Sequence, residues 1–306
     1  MQPEEPSFLA NISPRRVIHS GSLRLDVLLG TGGIPRGHIT EILGAEMAGK
    51  TTFCLHLVAE AQRLGELCAW VDADHALDPA YAQHCGVNPD RLYLVMPNNA
   101  EQALAIVESL VHSSSLALII VDSVTSLVTQ VELQTPLGEP QRTSGAALIS
   151  RALPGLAHAA RRAGTSLVFT SQVWPGSSPV YHHLRQHPER LALKLHSALR
   201  LQIYRAQGIG EGDGRRFQVR CVKNRLSRNF RAIRVDIVYN EKEHISGEIF
   251  DLSLAHSIIY QQRARFFYQH RDLGSSRAEA IEQLLVDQKL AARIESELRQ
   301  KVVTEN

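Results

Sequence analysis

Eight residues, Gly44-Ala45-Glu46-Met47-Ala48-Gly49-Lys50-Thr51, carry the spacing G-x-x-x-x-G-K-[ST], and a second threonine, Thr52, follows. Glycines at both ends let backbone N–H groups turn inward, and a helix starting here adds the partial positive charge of its N-terminus. Such a loop cradles nucleotide phosphates. Lys50 then reaches the β- and γ-phosphates of ATP, and the Thr51 hydroxyl reaches Mg²⁺. Downstream, Leu118-Ile119-Ile120-Val121-Asp122 sets a carboxylate at the end of four apolar residues. A buried acid is costly unless it meets a cation or strong donors. Asp122 is therefore the expected metal-linked acid, the alternative being a cap on the next turn through Ser123.

Other residues fit the same chemistry less specifically. Trp70-Val71-Asp72-Ala73-Asp74-His75 places two carboxylates at a strand end. One could orient or deprotonate an attacking water; equally, both could cap a helix starting near Pro79. Gln172 ends another strand, where it can touch a γ-phosphate. Between Arg200 and Arg234 stand ten Lys and Arg against Glu211 and Asp213. That excess suits a polyanion or phosphates at a subunit boundary, or the solvated face of outer strands. His182, His183 and His187 lack nearby Asp or Cys to complete a metal set, so a structural or loop role is expected for them.

These residues need elements to hold them. Short runs rich in β-branched and aromatic residues predict strands at 38–43, 67–73, 91–96, 116–122 and 166–172, with helices at 51–64, 100–113 and 145–163 between them. Repeated βαβ units imply an α/β fold with a mostly parallel central sheet and helices on both faces. Residues 174–190, with three prolines and three histidines, read as a long functional loop. Amphipathic strands follow at 197–205, 217–224 and 232–239, the first two joined by a glycine-rich turn as an antiparallel hairpin. Ser276-x-x-Glu279 is a capping-box signature for a helix carrying Ile281, Leu284 and Leu285 on one face. Leu290, Ile294, Leu298 and Val302 continue at four-residue spacing, so this end reads as a small helical subdomain.

Bulk properties are those of a soluble globular protein: 306 residues, 44% hydrophobic, 21% charged, formal net charge +2. No apolar run is long enough to span a membrane. Met1-Gln2-Pro3-Glu4-Glu5-Pro6 has no basic region followed by an apolar one, so no secretory signal is read there. Cys54, Cys68, Cys85 and Cys221 show no CxxC pairing and read as reduced thiols of a cytoplasmic protein.

Taken together, these segments resemble the bacterial RecA recombinase family. Ser20-Gly21-Ser22-Leu23-Arg24-Leu25-Asp26 and Leu29-Gly30-Thr31-Gly32-Gly33-Ile34-Pro35-Arg36-Gly37 look like that family's lead-in to the phosphate loop. Asp72-Ala73-Asp74-His75-Ala76-Leu77-Asp78-Pro79 is similar to its signature after the second strand. Glu101-Gln102-Ala103-Leu104, Val121-Asp122-Ser123-Val124 and Val222-Lys223-Asn224-Arg225 match further. The similarity runs from about residue 17 to 302.

The resemblance implies a RecA-like P-loop ATPase core plus a small C-terminal α/β subdomain. It divides the chain into a short N-terminal arm (1–18), a core with two DNA loops (19–245) and a largely helical C-terminal subdomain (246–306). It also implies roles: Lys50, Thr51 and Asp122 hold MgATP, and Asp78 and Tyr81 lie by the adenine. Asp74 takes the place of the catalytic glutamate, and Gln172 senses the γ-phosphate. Lys223 and Arg225 reach a neighbour's ATP, so subunits associate through nucleotide. The loops at about 132–145 and 174–190 would line a channel for single- and double-stranded DNA.

The sequence also departs from the family. Asp74 is one methylene shorter than glutamate. Ala45 and Met47-Ala48 replace a proline and two serines. The second loop ends Gln186-His187-Pro188-Glu189-Arg190-Leu191 rather than in threonine and glycine. The N-terminal docking helix is expected to be missing or reduced, and the acidic tail is not seen. Three functions follow: an ATP-dependent recombinase acting in DNA repair by strand exchange, a nucleotide-responsive accessory paralogue that binds DNA or a recombinase, or a P-loop small-molecule kinase. The last lacks any lid or acceptor signature, and the first is expected.

Overall fold

The computed structural model describes residues 17–136, 145–173, 188–205, 216–227, 234–238 and 242–305. Residues 1–16 of the N-terminal arm, the three histidines of 182–187 and most of both candidate DNA loops lie outside these residues.

The described residues begin with β1 (Val17–Ile18), pass through α1 (Leu23–Leu29), and return antiparallel as β2 (Ile34–Pro35). Ser22 caps α1 by accepting from the Leu25 N–H, and Gly30 closes it in the left-handed region at φ 70°. Strand and helix then alternate: β3 (Ile39–Gly44), α2 (Lys50–Arg63), β4 (Cys68–Asp72), α3 (Pro79–His84), β5 (Leu92–Val95) and α4 (Ala100–His112). β6 (Leu118–Asp122), α5 (Gln130–Gln134), α6 (Gly145–Ala163) and β7 (Ser166–Gln172) complete this half. The strands and helices anticipated from periodicity are all present, shifted at their ends by one or two residues.

α7 (Pro188–His196) follows, its first turn falling where the sequence suggested only loop. β8 (Leu199–Arg205) and β9 (Arg216–Asn224) form the expected antiparallel pair, and β10 (Arg234–Val238) adds to β9. The eight-stranded sheet has the order β10-β9-β8-β3-β7-β6-β4-β5. All neighbours from β8 to β5 are parallel. One face packs Ile42, Ile120 and Val168 on Phe53 and Leu57 of α2. The other packs Val121 and Phe169 on Val107 of α4 and Leu153 of α6. With both faces buried, the central strands can be continuously apolar.

α8 (Lys242–Ala255) runs through the 245/246 position and leads into β11 (Ile259–Gln262), β12 (Arg265–Tyr268) and β13 (Arg271–Gly274), a three-stranded antiparallel sheet. α9 (Arg277–Val286) and α10 (Gln288–Glu305) follow. The sequence-based reading of this end as helical missed that sheet. Leu284, Leu290, Ile294, Leu298 and Val302 are buried as their spacing predicted. The capping box is shifted by one residue: Ser276 Oγ accepts from the Glu279 N–H at 3.2 Å, but Glu279 accepts in return from the Ser275 N–H at 2.8 Å.

α1 joins the two units, with Leu25 and Leu29 in the main core and Leu23 and Val27 in the C-terminal one. Asp26, wholly buried, accepts from Arg299 of α10 at 2.8 Å and from the Ser20 N–H at 3.0 Å. Among the described residues no helix is long and apolar enough to cross a membrane. The four cysteines are buried and free.

Candidate functional site

At the C-terminal end of β3 the chain turns through the phosphate-type loop into α2. The loop needs unusual backbone: Met47 has φ 56° and Gly49 φ 98°. A Cβ on Gly44 would meet the Ile203 carbonyl at 2.7 Å, so the neighbouring strand β8 enforces glycine there. Gly49 occupies the N-cap of α2 and no side chain caps it. The first N–H groups of a 14-residue helix therefore point outward as donors. Lys50 Nζ donates to the carbonyls of Gly44 and Ala45, at 3.3 and 2.8 Å. Burial holds its ammonium below the usual lysine range, against the pull of Asp122, Cys54, Asp74 and Glu46.

Asp122 ends β6, directly below this loop. Its Oδ2 accepts from Thr51 Oγ1 at 2.8 Å, and its Oδ1 accepts from Thr170 Oγ1 of β7. Burial pushes the carboxyl above its ordinary value; the two hydroxyls oppose that, Asp74 adds to it, and Lys50 opposes it. Two oxygen donors, one anionic, beside an N-terminal cradle form a set suited to a hard divalent cation held with phosphate.

The remaining candidates separate into those close to this centre and those away from it. Asp74 is exposed, and its Oδ1 accepts from Ser123 N and Oγ at 3.4 and 3.3 Å. Ser123 in turn bonds Thr125 Oγ1 at 2.8 Å and Ser126 Oγ at 3.0 Å. Asp72 instead accepts from the Leu77 N–H at 2.9 Å, holding the turn that follows β4. Neither acid caps α3; Asp78 does, accepting from the Ala80 N–H at 2.8 Å. Tyr81 OH meets Thr52 Oγ1 at 2.8 Å, which ties α3 to the first turn of α2. Gln172 is the register partner of Gly44, and the Val173 N–H donates to Gly44 O at 2.8 Å. Glu46 and Met47 are exposed on the loop, while Ala48 is buried beneath it.

Lys223 and Arg225 are not brought to this centre. They lie on and just after β9, two strands from β3. Lys223 Nζ donates to the last-turn carbonyls of Lys194 and Leu195 on α7, and Arg225 is exposed. Burial lowers the Lys223 pKa to about 8, helped by Arg225 and Arg200. Arg200, counted with the basic stretch, is no surface charge: its Nε donates to buried Glu41, which also accepts from Ser171 at 2.8 Å. The stems of the first candidate DNA loop are joined by Glu132. It completes a capping box with Thr129 and accepts from the Gly145 N–H at 3.4 Å. Thr170 and Glu41 were missed by motif reading, because a threonine or a glutamate inside an apolar strand carries no spacing signature of its own.

Comparison with known proteins agrees with this geometry. A family model described as the RecA N-terminal domain matches residues 10–244. Over 287 residues the chain is 39% identical to Protein RecA of Nitrobacter winogradskyi, covering 93% of this chain and 79% of that protein. It is 40% identical to Protein RecA of Rhodopseudomonas palustris, and 39% identical to that of Aquifex pyrophilus. Both alignments cover 92% of this chain and 82% of the relative. With a nucleotide-type loop, a metal-type acid and near full-length similarity in one chain, this protein belongs to the RecA family.

Proposed function

We propose that this RecA-family recombinase, a DNA-dependent ATPase of homologous recombination and DNA repair, binds MgATP between Lys50, Thr51 and Asp122. One observation carries the reading: an uncapped helix N-terminus, with Lys50 folded over its loop, faces a threonine–aspartate pair. Bound magnesium would neutralise charge on the β- and γ-phosphate oxygens. The residues do the rest. Lys50 moves from its own loop carbonyls to the phosphates, and the N–H groups opening α2 hold the remaining oxygens. Asp74 orients the attacking water, and Gln172, anchored beside Gly44, registers the γ-phosphate. Asp78 and Tyr81 border the base.

Lys223 and Arg225 act across a subunit boundary, where their charge meets a neighbour's ATP. Single- and double-stranded DNA bind at the loops following α5 and preceding α7, in a cytoplasmic, nucleotide-linked assembly. Nothing in the fold or the relatives favours the accessory reading. ATP turnover with and without single-stranded DNA tests the proposal: stimulation is expected, and equal turnover in both conditions would overturn it.

A further inference from the structure

The Asp122 carboxylate is gripped from two sides, and only one of them belongs to the phosphate-loop motif. Thr51 takes Oδ2, and Thr170 takes Oδ1. Strand order explains how. β7 lies between β3 and β6, so Thr170 is in register with Ile42 on one side while Phe169 meets Val121 on the other. Side chains alternate along a strand, which puts Thr170 on the α2 face with Val168, the face on which Asp122 also lies. Thr170 is fully buried, and a β-branched side chain in a strand has few rotamers. The direction of its hydroxyl is thus set by the backbone.

We propose that Thr170 is a positioning residue for the divalent-cation site, acting through Asp122 on Thr51. By donating to Oδ1 it fixes the plane of the carboxylate, so that Oδ2 stays on Thr51. The Thr51 hydroxyl then directs its proton at Asp122 and its lone pairs at the cation. Without Thr170 the carboxylate is free to turn and its inner oxygen is left bare, with the Lys50 charge acting on it. Partners one step removed from a metal typically change its affinity by about 10–100-fold.

The inference rests on Asp122 and Thr51 serving the metal, and the test keeps the two apart. Thr170→Val replaces the hydroxyl with a methyl of similar size and keeps the strand preference. Binding of a fluorescent, non-hydrolysable ATP analogue is measured over a Mg²⁺ titration. The Mg²⁺ required for half-maximal binding should rise by about tenfold or more, with metal-free affinity within about twofold of the parent and Thr170→Ser close to the parent. An unchanged Mg²⁺ requirement, or an equal loss with and without Mg²⁺, overturns the inference. Asp122→Asn is run beside it. If that variant also leaves the Mg²⁺ requirement unchanged, the metal assignment itself fails; if it alone raises the requirement, only the role of Thr170 fails. Should Thr170→Val not fold, Thr170→Ala carries the same readout and the same outcomes.

Discussion

In the proposed mechanism much of the chemistry rests on two single side chains, Lys50 and Asp74. In the proposed site the Lys50 ammonium is the loop's cation for the β- and γ-phosphates, so Lys50→Ala should abolish measurable ATP turnover in a phosphate-release assay. Parental turnover in that variant would displace the site. Asp74 reaches Ser123 only through long hydrogen bonds of 3.3 and 3.4 Å, and in the proposed site it stands one methylene short of a glutamate. Since misplacing a catalytic group by about 1 Å costs on the order of a hundredfold in rate, Asp74→Glu should raise turnover. A fall in turnover at unchanged ATP affinity would show that the Ser123–Thr125–Ser126 hydroxyls have fitted the site to aspartate. At this scale the phosphate loop and Asp122 were legible because each has a spacing tied to its chemistry. The hydroxyl of Thr170 was not, since its partner lies 48 residues away and is met only across a sheet.

The joint between α1 and α10 can be weighed at the level of elements. Burial pushes the Asp26 carboxyl up, but the Arg299 charge and the His19 hydrogen bond outweigh it, and the group titrates below its ordinary value. Removing one partner of a buried pair costs about 3–5 kcal/mol, so Arg299→Met should lower unfolding stability by that order in urea. Because the folded pKa is depressed, the stabilisation is present above the ordinary carboxylate value of 3.8 and is lost as pH falls through the lower folded value. The parent and Asp26→Asn should therefore converge only in strong acid. A difference that disappears near neutrality would rule out this account. Central strands were readable in the sequence because burial on both faces leaves an unbroken apolar run. β11 to β13 were not: Tyr260, Gln261, Gln262 and Arg265 are exposed, while Ile259, Phe266, Tyr268 and Leu273 turn inward to a core completed by helices. Two-residue strands such as β1 and β2 offer no period at all.

At the scale of the whole molecule, the proposed assembly depends on charge at a subunit boundary. Lys223 is cationic below about pH 8, so a contact that needs its charge should weaken as pH rises through that value. Nucleotide-dependent assembly, followed by light scattering, should fall over this range in the parent, and Lys223→Arg should extend it to higher pH. Identical profiles would remove Lys223 from the interface. DNA binding through Lys and Arg releases counterions, so single-strand affinity should drop steeply with salt and rise with a non-hydrolysable ATP analogue. Absence of binding at ~50 mM salt would contradict the recombinase mechanism. The sheet order has one more consequence, for the chain as it is being made. β3 is flanked by β7 and β8, and its contacts span 130 residues from Glu41 to Ser171 and 159 from Glu41 to Arg200. A nascent chain that has left the ribosome as far as β6 already holds the whole phosphate loop and Asp122. It still lacks both strands that buttress the loop and the threonine that orients the acid. Translation at about 5–20 residues per second leaves that intermediate exposed for seconds, so capacity for nucleotide arrives late, as a mark that the core has been finished.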